Sequence, residues 1–315
     1  SVMFGVPQKL YDYYGDTRPI EKMWPVCEKY LNYLKRRENA DKTVTYGIGD
    51  WVAYKTITPT DYTTTCFYYF DNKTMARFAR ILGKDATPYE QKAGYLQKLI
   101  MQKYFDPARG VFSNGSQAAQ GVALYLGIVP DEQAQRVADN LSRMIAENGD
   151  ALDCGMLGSK TILRVLCDYG HADQAYRLAS RSESPSWGSW IKRGLTTLPE
   201  TWVLSPAFRD ASLNHIFLGD VQAWMYQYLA GIMYDTQCPG FKHVLLQPRF
   251  VKGLDGAKAE YNSRAGLIKS AWKRKGNSII LDVELPANIS ATLITGSKKQ
   301  ELTGGHHRIK LAAGK

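Results

Sequence analysis

DEQAQRVADNLSRMIAENG, residues 131–149, has the clearest periodicity in the chain. Its apolar side chains recur at three- and four-residue spacing: Ala134, Val137, Ala138, Leu141, Met144 and Ile145. This spacing places them on one face of an α-helix. Pro130 and Asp131 are typical of a helix start, and Asn148-Gly149 is typical of a helix end. The stretch therefore predicts an amphipathic helix that packs on other helices through one face.

Similar stripes occur along the chain on both sides of this stretch, as in PYEQKAGYLQKLIMQKYF, MLGSKTILRVLCDYG and ADQAYRLASR. Together they predict about nine helices up to residue 235. The connections between them are short, which favours paired antiparallel helices. Their lengths vary and no residue pattern repeats at a fixed period, so a simple solenoid is not expected.

The pattern changes after Cys238-Pro239-Gly240. Short apolar runs such as HVLLQP, GLIKSAWKR and NSIILDVEL follow, broken by Gly, Asn and Pro. This pattern is typical of an antiparallel β-sandwich. We therefore predict a mainly helical domain over residues 1–235 and a β-sandwich domain over residues 236–315.

Composition and charge narrow the functional classes. The chain has 315 residues, 44% of them hydrophobic, and no apolar run long enough to span a membrane. The formal net charge is +10, and residues 236–315 hold 14 Lys and Arg against 5 Asp and Glu, a local charge of +9. These charges follow the alternation of a solvated sheet and form no recognition motif, so no nucleic-acid partner is expected. Scattered cysteines without a CxxC pair predict free thiols. No metal-ligand cluster stands out in the sequence, and we expect neither a metal nor a cofactor.

One stretch combines aromatic residues with an isolated acid. SWGSWIKRGLTTLPETW, residues 186–202, holds three tryptophans and a single carboxylate, Glu200, directly after Pro199. Flanking indoles exclude water and raise the pKa of a carboxyl group towards the range of a general base, and they also stack on sugar faces. A capping or ion-paired glutamate in an aromatic turn accounts for the same pattern. The residues alone leave both interpretations open.

Two further polar residues have the same ambiguity. His215 is placed to donate a hydrogen bond to a substrate hydroxyl, but a histidine at a helix start is also a common cap. Asp50, beside Trp51, could bind vicinal hydroxyls through its two oxygens, but it also fits a helix-initiating turn.

A set of motifs occurs in a fixed order along the chain: YDYYGDTRPIEKMWPVCEKYLNYL, YGIGDW, GMLGS, DYGHADQAYRLA, SPSWGSWIKRGLTTLPETW, SLNHIFLGDVQAWMYQYLAGI and PGFKHVLLQPRF. In this order they resemble the bacterial α-L-rhamnosidases of glycoside hydrolase family 78. The resemblance continues through AEYNSRAGLIKSAWKRKGNSIILDVELPANISATL and covers essentially the whole chain.

The resemblance implies an (α/α)6 barrel followed by a C-terminal β-sandwich. It also implies an inverting hydrolase that releases terminal α-L-rhamnose from plant or bacterial glycans, with a rhamnose-containing oligosaccharide or glycoside as its ligand. Matched by motif, Glu200 falls on the family's general base and His215 on a sugar-binding histidine. The family's pocket-lining positions match Asp50, Trp51, Trp187, Trp190 and Trp202. Leu198-Pro199 stands where many members carry Ile/Leu-Trp, which alters the pocket wall.

One family motif has no counterpart. The general-acid signature, which resembles RDERLGWTGDA, is absent from the 315 residues. A closed barrel needs about twelve helices, whereas the periodicity predicts about nine. We therefore expect an N-terminally truncated barrel, nearly inactive alone, whose missing N-terminal part of the same polypeptide carries the acid. Two alternatives remain: a non-catalytic carbohydrate-binding or structural module, and an (α/α)6 glycosidase of different sugar specificity.

Overall fold

The computed structural model describes residues 2–204 and 211–312 of the chain. The described residues form two compact units. The helical unit comprises Pro25–Val221, and the β unit comprises Val2–Trp24 together with the described residues from Gln222 onward. The predicted boundary between residues 235 and 236 marks the change in sequence pattern, and as a domain boundary it stays a prediction.

Ten α-helices lie in the described part of the chain. They are α1 (Val2–Tyr14), α2 (Arg18–Arg36), α3 (Thr60–Ile81), α4 (Thr87–Tyr104), α5 (Gln117–Tyr125), α6 (Asp131–Glu147), α7 (Met156–Asp168), α8 (Ala172–Ser180), α9 (Trp187–Lys192) and α10 (Val221–Trp224). A π-helical turn, Met225–Leu229, follows α10, and the short strands β1 (Phe105–Asp106) and β2 (Val111–Phe112) form a hairpin after α4. None of these helices is both long and apolar enough to cross a membrane.

The helical unit is built from neighbouring helices that pack in sequence order: α3 on α4, α5 on α6 and α7, and α7 on α8. The prediction for residues 131–149 is confirmed, since α6 follows Pro130 and buries the predicted face, including Val137, Leu141 and Ile145. Serine side chains cap two helix starts: Ser116 Oγ accepts from Ala119 N before α5, and Ser186 Oγ accepts from Ser189 N before α9.

The β unit contains two four-stranded sheets that share one core. The remaining strands are β3 (Ile232–Tyr234), β4 (His243–Leu246), β5 (Gly256–Ser263), β6 (Gly266–Lys275), β7 (Ser278–Leu285), β8 (Ser290–Thr295), β9 (Lys298–Leu302) and β10 (Gly305–Ala312). One sheet has the order β10-β7-β6-β5 and is antiparallel throughout. The other has the order β3-β4-β8-β9, and its β4–β8 pair is parallel. The second sheet is therefore mixed, which differs from the fully antiparallel sandwich expected.

The N-terminal helix belongs to the β unit. The Tyr13 ring of α1 packs against Tyr234, Phe241 and Tyr261 with centroid distances of 5.1, 5.5 and 6.0 Å. Gly240 N donates to Asp12 O at 2.9 Å. These contacts join the two ends of the described chain in one core, because aromatic side chains bury a large apolar area at each contact.

Candidate active site

Glu200 lies on a segment that is hydrogen-bonded to the segment around His215. Glu200 N donates to Ser212 O at 2.8 Å, and Ser212 N donates to Glu200 Oε2 at 3.1 Å. His215 N donates to Leu198 O at 2.7 Å. The two predicted polar residues are therefore brought onto neighbouring segments, and the backbone of Ser212 orients the Glu200 carboxylate.

His215 has a defined tautomer in its neutral form. Phe217 N donates to His215 Nδ1 at 3.2 Å, and the Phe217 ring lies 3.9 Å from the imidazole, centroid to centroid. Because Nδ1 accepts a hydrogen bond, the proton of the neutral ring is assigned to Nε2. Nε2 is then the ring atom that can donate to a ligand hydroxyl.

The three predicted tryptophans form a buried cluster. Their exposed fractions are 7% for Trp187, 2% for Trp190 and 2% for Trp202. The Trp190 ring stacks on Trp202 at 5.3 Å, and Trp187 meets Trp202 edge-on at 5.0 Å. In this arrangement the indoles support the Glu200 segment from within the core. Their direct contact with a sugar stays a prediction.

The indole N–H groups connect this cluster to the surrounding backbone. Trp202 Nε1 donates to Cys154 O at 2.7 Å, and Trp187 Nε1 donates to Leu218 O at 2.8 Å. Trp190 Nε1 donates to Trp202 O at 3.2 Å. The cluster therefore holds both the residues before α7 and the segment that carries His215.

Asp50 uses its carboxylate to cap α7. Oδ2 accepts from Gly155 N at 2.7 Å, and Oδ1 accepts from Leu157 N at 2.7 Å and from Gly158 N at 3.1 Å. The side chain is buried, and this burial raises the pKa of Asp50, while the three N–H groups act in the opposite direction. Both oxygens are thus engaged with backbone, and binding of vicinal hydroxyls by Asp50 stays a prediction.

Trp51 differs from the other tryptophans of the site because 48% of its surface is exposed. Its carbonyl oxygen accepts from Met156 N at 2.9 Å. A Cβ atom at Gly155 would lie 2.1 Å from that oxygen, so only glycine permits this approach of the two backbones. Trp51 is therefore fixed by its backbone while about half of the residue is exposed, and its stacking on a sugar stays a prediction.

Two family models match this chain, one for each part of the fold. The family model of the bacterial α-L-rhamnosidase six-hairpin glycosidase domain matches residues 1–229, and that of the bacterial α-L-rhamnosidase C-terminal domain matches residues 231–310. The chain belongs to the bacterial α-L-rhamnosidase family. The resemblance inferred from the ordered motifs is confirmed, as is the fold class of a six-hairpin glycosidase domain followed by a β domain.

Individual relatives agree with this assignment. An α-L-rhamnosidase from Streptomyces avermitilis is 32% identical over 292 residues, which cover 91% of this chain and 28% of the relative. One from Alteromonas sp. is 27% identical, covering 92% of this chain and 33% of the relative. This rhamnosidase-family chain therefore spans about a third of the length of the curated relatives it matches.

Two solved structures are similar along nearly the whole chain. The Streptomyces avermitilis α-L-rhamnosidase complexed with L-rhamnose gives a TM-score of 0.91 at 28% identity. The match covers 98% of this chain and 32% of the Streptomyces avermitilis chain. The α-L-rhamnosidase from Dictyoglumus thermophilum gives a TM-score of 0.89 at 26% identity. The match covers 98% of this chain and 39% of the Dictyoglumus thermophilum chain.

Sequence reasoning missed several residues that fix the loops of the candidate site. Asp153 Oδ1 accepts from Lys55 N at 2.8 Å and from Thr56 N at 3.0 Å, which fastens the loop after Trp51. Arg164 of α7 pairs with Asp220, five residues beyond His215. A signal was present in both cases: Asp153 lies two residues before the GMLGS motif, and Arg164 interrupts an otherwise apolar stripe.

Cys154, directly before Gly155, has a buried thiol. Burial raises the pKa of its thiol well above the ordinary value, with further contributions from the charges of Asp50 and Asp153. The thiol therefore stays protonated and is not a nucleophile. Within residues 2–204 and 211–312, no group of three or more His, Cys, Asp or Glu side chains is arranged to hold a metal ion.

Asp50→Asn is expected to lower the free energy of unfolding by about 1–3 kcal/mol, because an amide cannot accept from the N–H groups with both of its terminal atoms. Urea unfolding of the 315-residue chain measures the change. Trp51→Ala at the exposed neighbour is the matched control, with an expected change within about 0.5 kcal/mol. Unchanged stability in Asp50→Asn, together with weaker L-rhamnose binding, would contradict the capping role and favour a sugar contact.

Proposed function

We propose that these residues supply the general-base side of an inverting α-L-rhamnosidase active site, with Glu200 as the base. The observation that carries the proposal is the pairing of the Glu200 and His215 segments, which combines an oriented carboxylate with an imidazole N–H donor. Two further findings support L-rhamnose as the sugar: the family membership, and the L-rhamnose with which the similar Streptomyces avermitilis enzyme is complexed.

The reaction assigned to this site needs two carboxyl groups. In an inverting glycosidase they lie about 6.5–9.5 Å apart, so that a water molecule fits between the base and the sugar. Glu200 takes a proton from that water as it attacks the anomeric carbon from the face opposite the leaving oxygen. The second carboxyl group protonates the leaving oxygen as its bond breaks. The released sugar is then β-L-rhamnose.

We place the second carboxyl group outside these 315 residues, because the acid signature of the family has no counterpart in them. In the following, the acid-bearing polypeptide means these 315 residues joined to a segment that carries that signature. His215 Nε2 binds a sugar hydroxyl, and the exposed ring of Trp51 stacks on an apolar sugar face. The buried tryptophans act as the wall behind Glu200.

The absent acid signature also favours a second function, a non-catalytic module that binds the sugar without hydrolysing it. One assay separates the two functions and also tests the sugar specificity. The acid-bearing polypeptide is expected to hydrolyse an aryl α-L-rhamnoside about a hundredfold faster than the corresponding α-L-fucoside, because its pocket discriminates between hydroxyl arrangements. Rhamnose binding without turnover would favour the module. Equal turnover of both glycosides would contradict rhamnose specificity.

A further inference from the structure

The outer face of the antiparallel sheet carries an excess of positive charge. Alternation along β5, β6, β7 and β10 places six basic residues outward: Lys258, Lys269, Lys273, Lys275, Arg308 and Lys310. Three acidic residues share this face: Glu260, Asp282 and Glu284. The opposite faces of these strands form the core of the β unit. The face is therefore a solvated surface with three more bases than acids.

Each of the three acids is paired with a base on the same face. Glu260 lies 2.9 Å from Lys258, and Glu284 lies 2.8 Å from Lys269. Asp282 lies 3.6 Å from Arg308. These pairs neutralise the half of the face that holds the three acids. The excess positive charge therefore lies in the half without acids.

The excess charge belongs to a group that we call the lysine row: Lys273, Lys310 and Lys275. Lys273 of β6 and Lys310 of β10 both lie directly opposite Ile280 of the intervening strand β7, and Lys275 follows on the same face of β6. All three lysines are on the solvated side of the sheet. Within residues 2–204 and 211–312 none of them lies within ion-pair distance of an acid. Two strand spacings separate Lys273 from Lys310 by about 10 Å.

We infer that the lysine row binds a polysaccharide that bears carboxylate groups. Lysine ammonium groups donate to carboxylate and hydroxyl oxygens as compact point charges, and their flexible stems adjust to the spacing of a polymer. Ile280, between Lys273 and Lys310, offers an apolar patch to a sugar ring. The choice of a glycan as the partner rests on the proposed function. The binding of an acidic polymer by the lysine row, in contrast, follows from the charge of the β unit and does not depend on the proposed function.

A nucleic acid fits this face less well. Single-stranded nucleic acids bind through aromatic side chains on which successive bases stack. We compared the outward positions of β6 from Lys269 to Lys275 with the positions opposite them on β7 and β10. None of these positions holds Phe, Tyr or Trp. The face therefore lacks the stacking platform that a single-stranded nucleic acid uses.

Calorimetric titration of the 315-residue chain with polygalacturonate tests this inference, with fully methyl-esterified polygalacturonate as the uncharged polymer. We expect binding to the charged polymer only, and weaker binding as salt rises. The double variant Lys273→Gln/Lys310→Gln is expected to weaken binding about fivefold to tenfold. The matched control Lys298→Gln/Lys299→Gln removes the same charge from exposed positions of β9 and is expected to change affinity less than about twofold.

Three outcomes would overturn the inference: no binding of polygalacturonate, equal losses in the two double variants, or tighter binding of single-stranded DNA of equal charge. Glu200→Gln separates this inference from the proposed function, because it is expected to leave polymer binding unchanged. Rhamnoside turnover by the acid-bearing polypeptide without polymer binding would reject the inference about the lysine row and leave the proposed function standing. Polymer binding without turnover would reject the rhamnosidase assignment alone.

Discussion

Glu200→Gln is expected to lower turnover of an aryl α-L-rhamnoside by about 10²–10⁴-fold in the acid-bearing polypeptide. Glutamine keeps the volume of the side chain and one acceptor for the Ser212 N–H, but it cannot take a proton from water. Steady-state kinetics measures the loss in kcat. Titration with L-rhamnose is expected to show a change in Kd of less than about threefold, because the uncharged ring contacts remain.

Glu183→Gln is the matched control for that variant. It makes the same chemical change in the helical unit, at an exposed residue that pairs with Lys192. An exposed ion pair contributes little, so kcat is expected to stay within about twofold of its original value. Full activity in Glu200→Gln would contradict its role as the base. An equal loss in both variants would indicate a general effect of charge.

The 315-residue chain alone is expected to hydrolyse methyl α-L-rhamnoside about 10²–10⁴-fold more slowly than the acid-bearing polypeptide. Methoxide is a poor leaving group that needs a proton from the general acid. Fluoride leaves without one, so the deficit for α-L-rhamnosyl fluoride is expected to be smaller by about tenfold or more. Parallel assays of the two substrates measure the difference between the deficits.

The Glu200→Gln variant of the same chain is the control, since turnover of the fluoride still needs a base and is expected to disappear. Equal deficits for both substrates would show that more than the acid is missing from the pocket. Turnover of methyl α-L-rhamnoside at the rate of the acid-bearing polypeptide would place the acid within these 315 residues and overturn the proposal.

The sequence predicted those features that depend on short spacings. α6 could be placed because one helix face packs on neighbours while the other meets water, which leaves a strong period in the residues. The change to strands could be placed because alternation and Gly or Pro breaks are local signals. The roles proposed for Glu200 and His215 rest on ordered motifs, since local physics alone did not distinguish a base from a turn glutamate, and these roles stay predictions.

The missed features depend on residues far apart in the sequence. Asp50 caps α7 through backbone N–H groups about a hundred residues away, and no local sequence pattern indicates such a partner. The stacking of Trp190 on Trp202 joins two indoles twelve residues apart and had no local signal in the sequence, while their place on the pocket wall stays a prediction. The parallel pairing of β4 with β8 joins strands that are separated by most of the antiparallel sheet.

Azide rescue of Glu200→Ala tests the central claim, that Glu200 activates the attacking water. In the acid-bearing polypeptide this variant leaves room beside the anomeric carbon, and azide attacks that carbon without needing a base. The acid protonates the leaving oxygen as the glycosidic bond breaks. Product analysis by ¹H NMR is expected to show azide-dependent turnover and β-L-rhamnosyl azide, formed by inversion. No rescue by azide, or formation of the α-azide, would contradict the assignment of Glu200 as the general base.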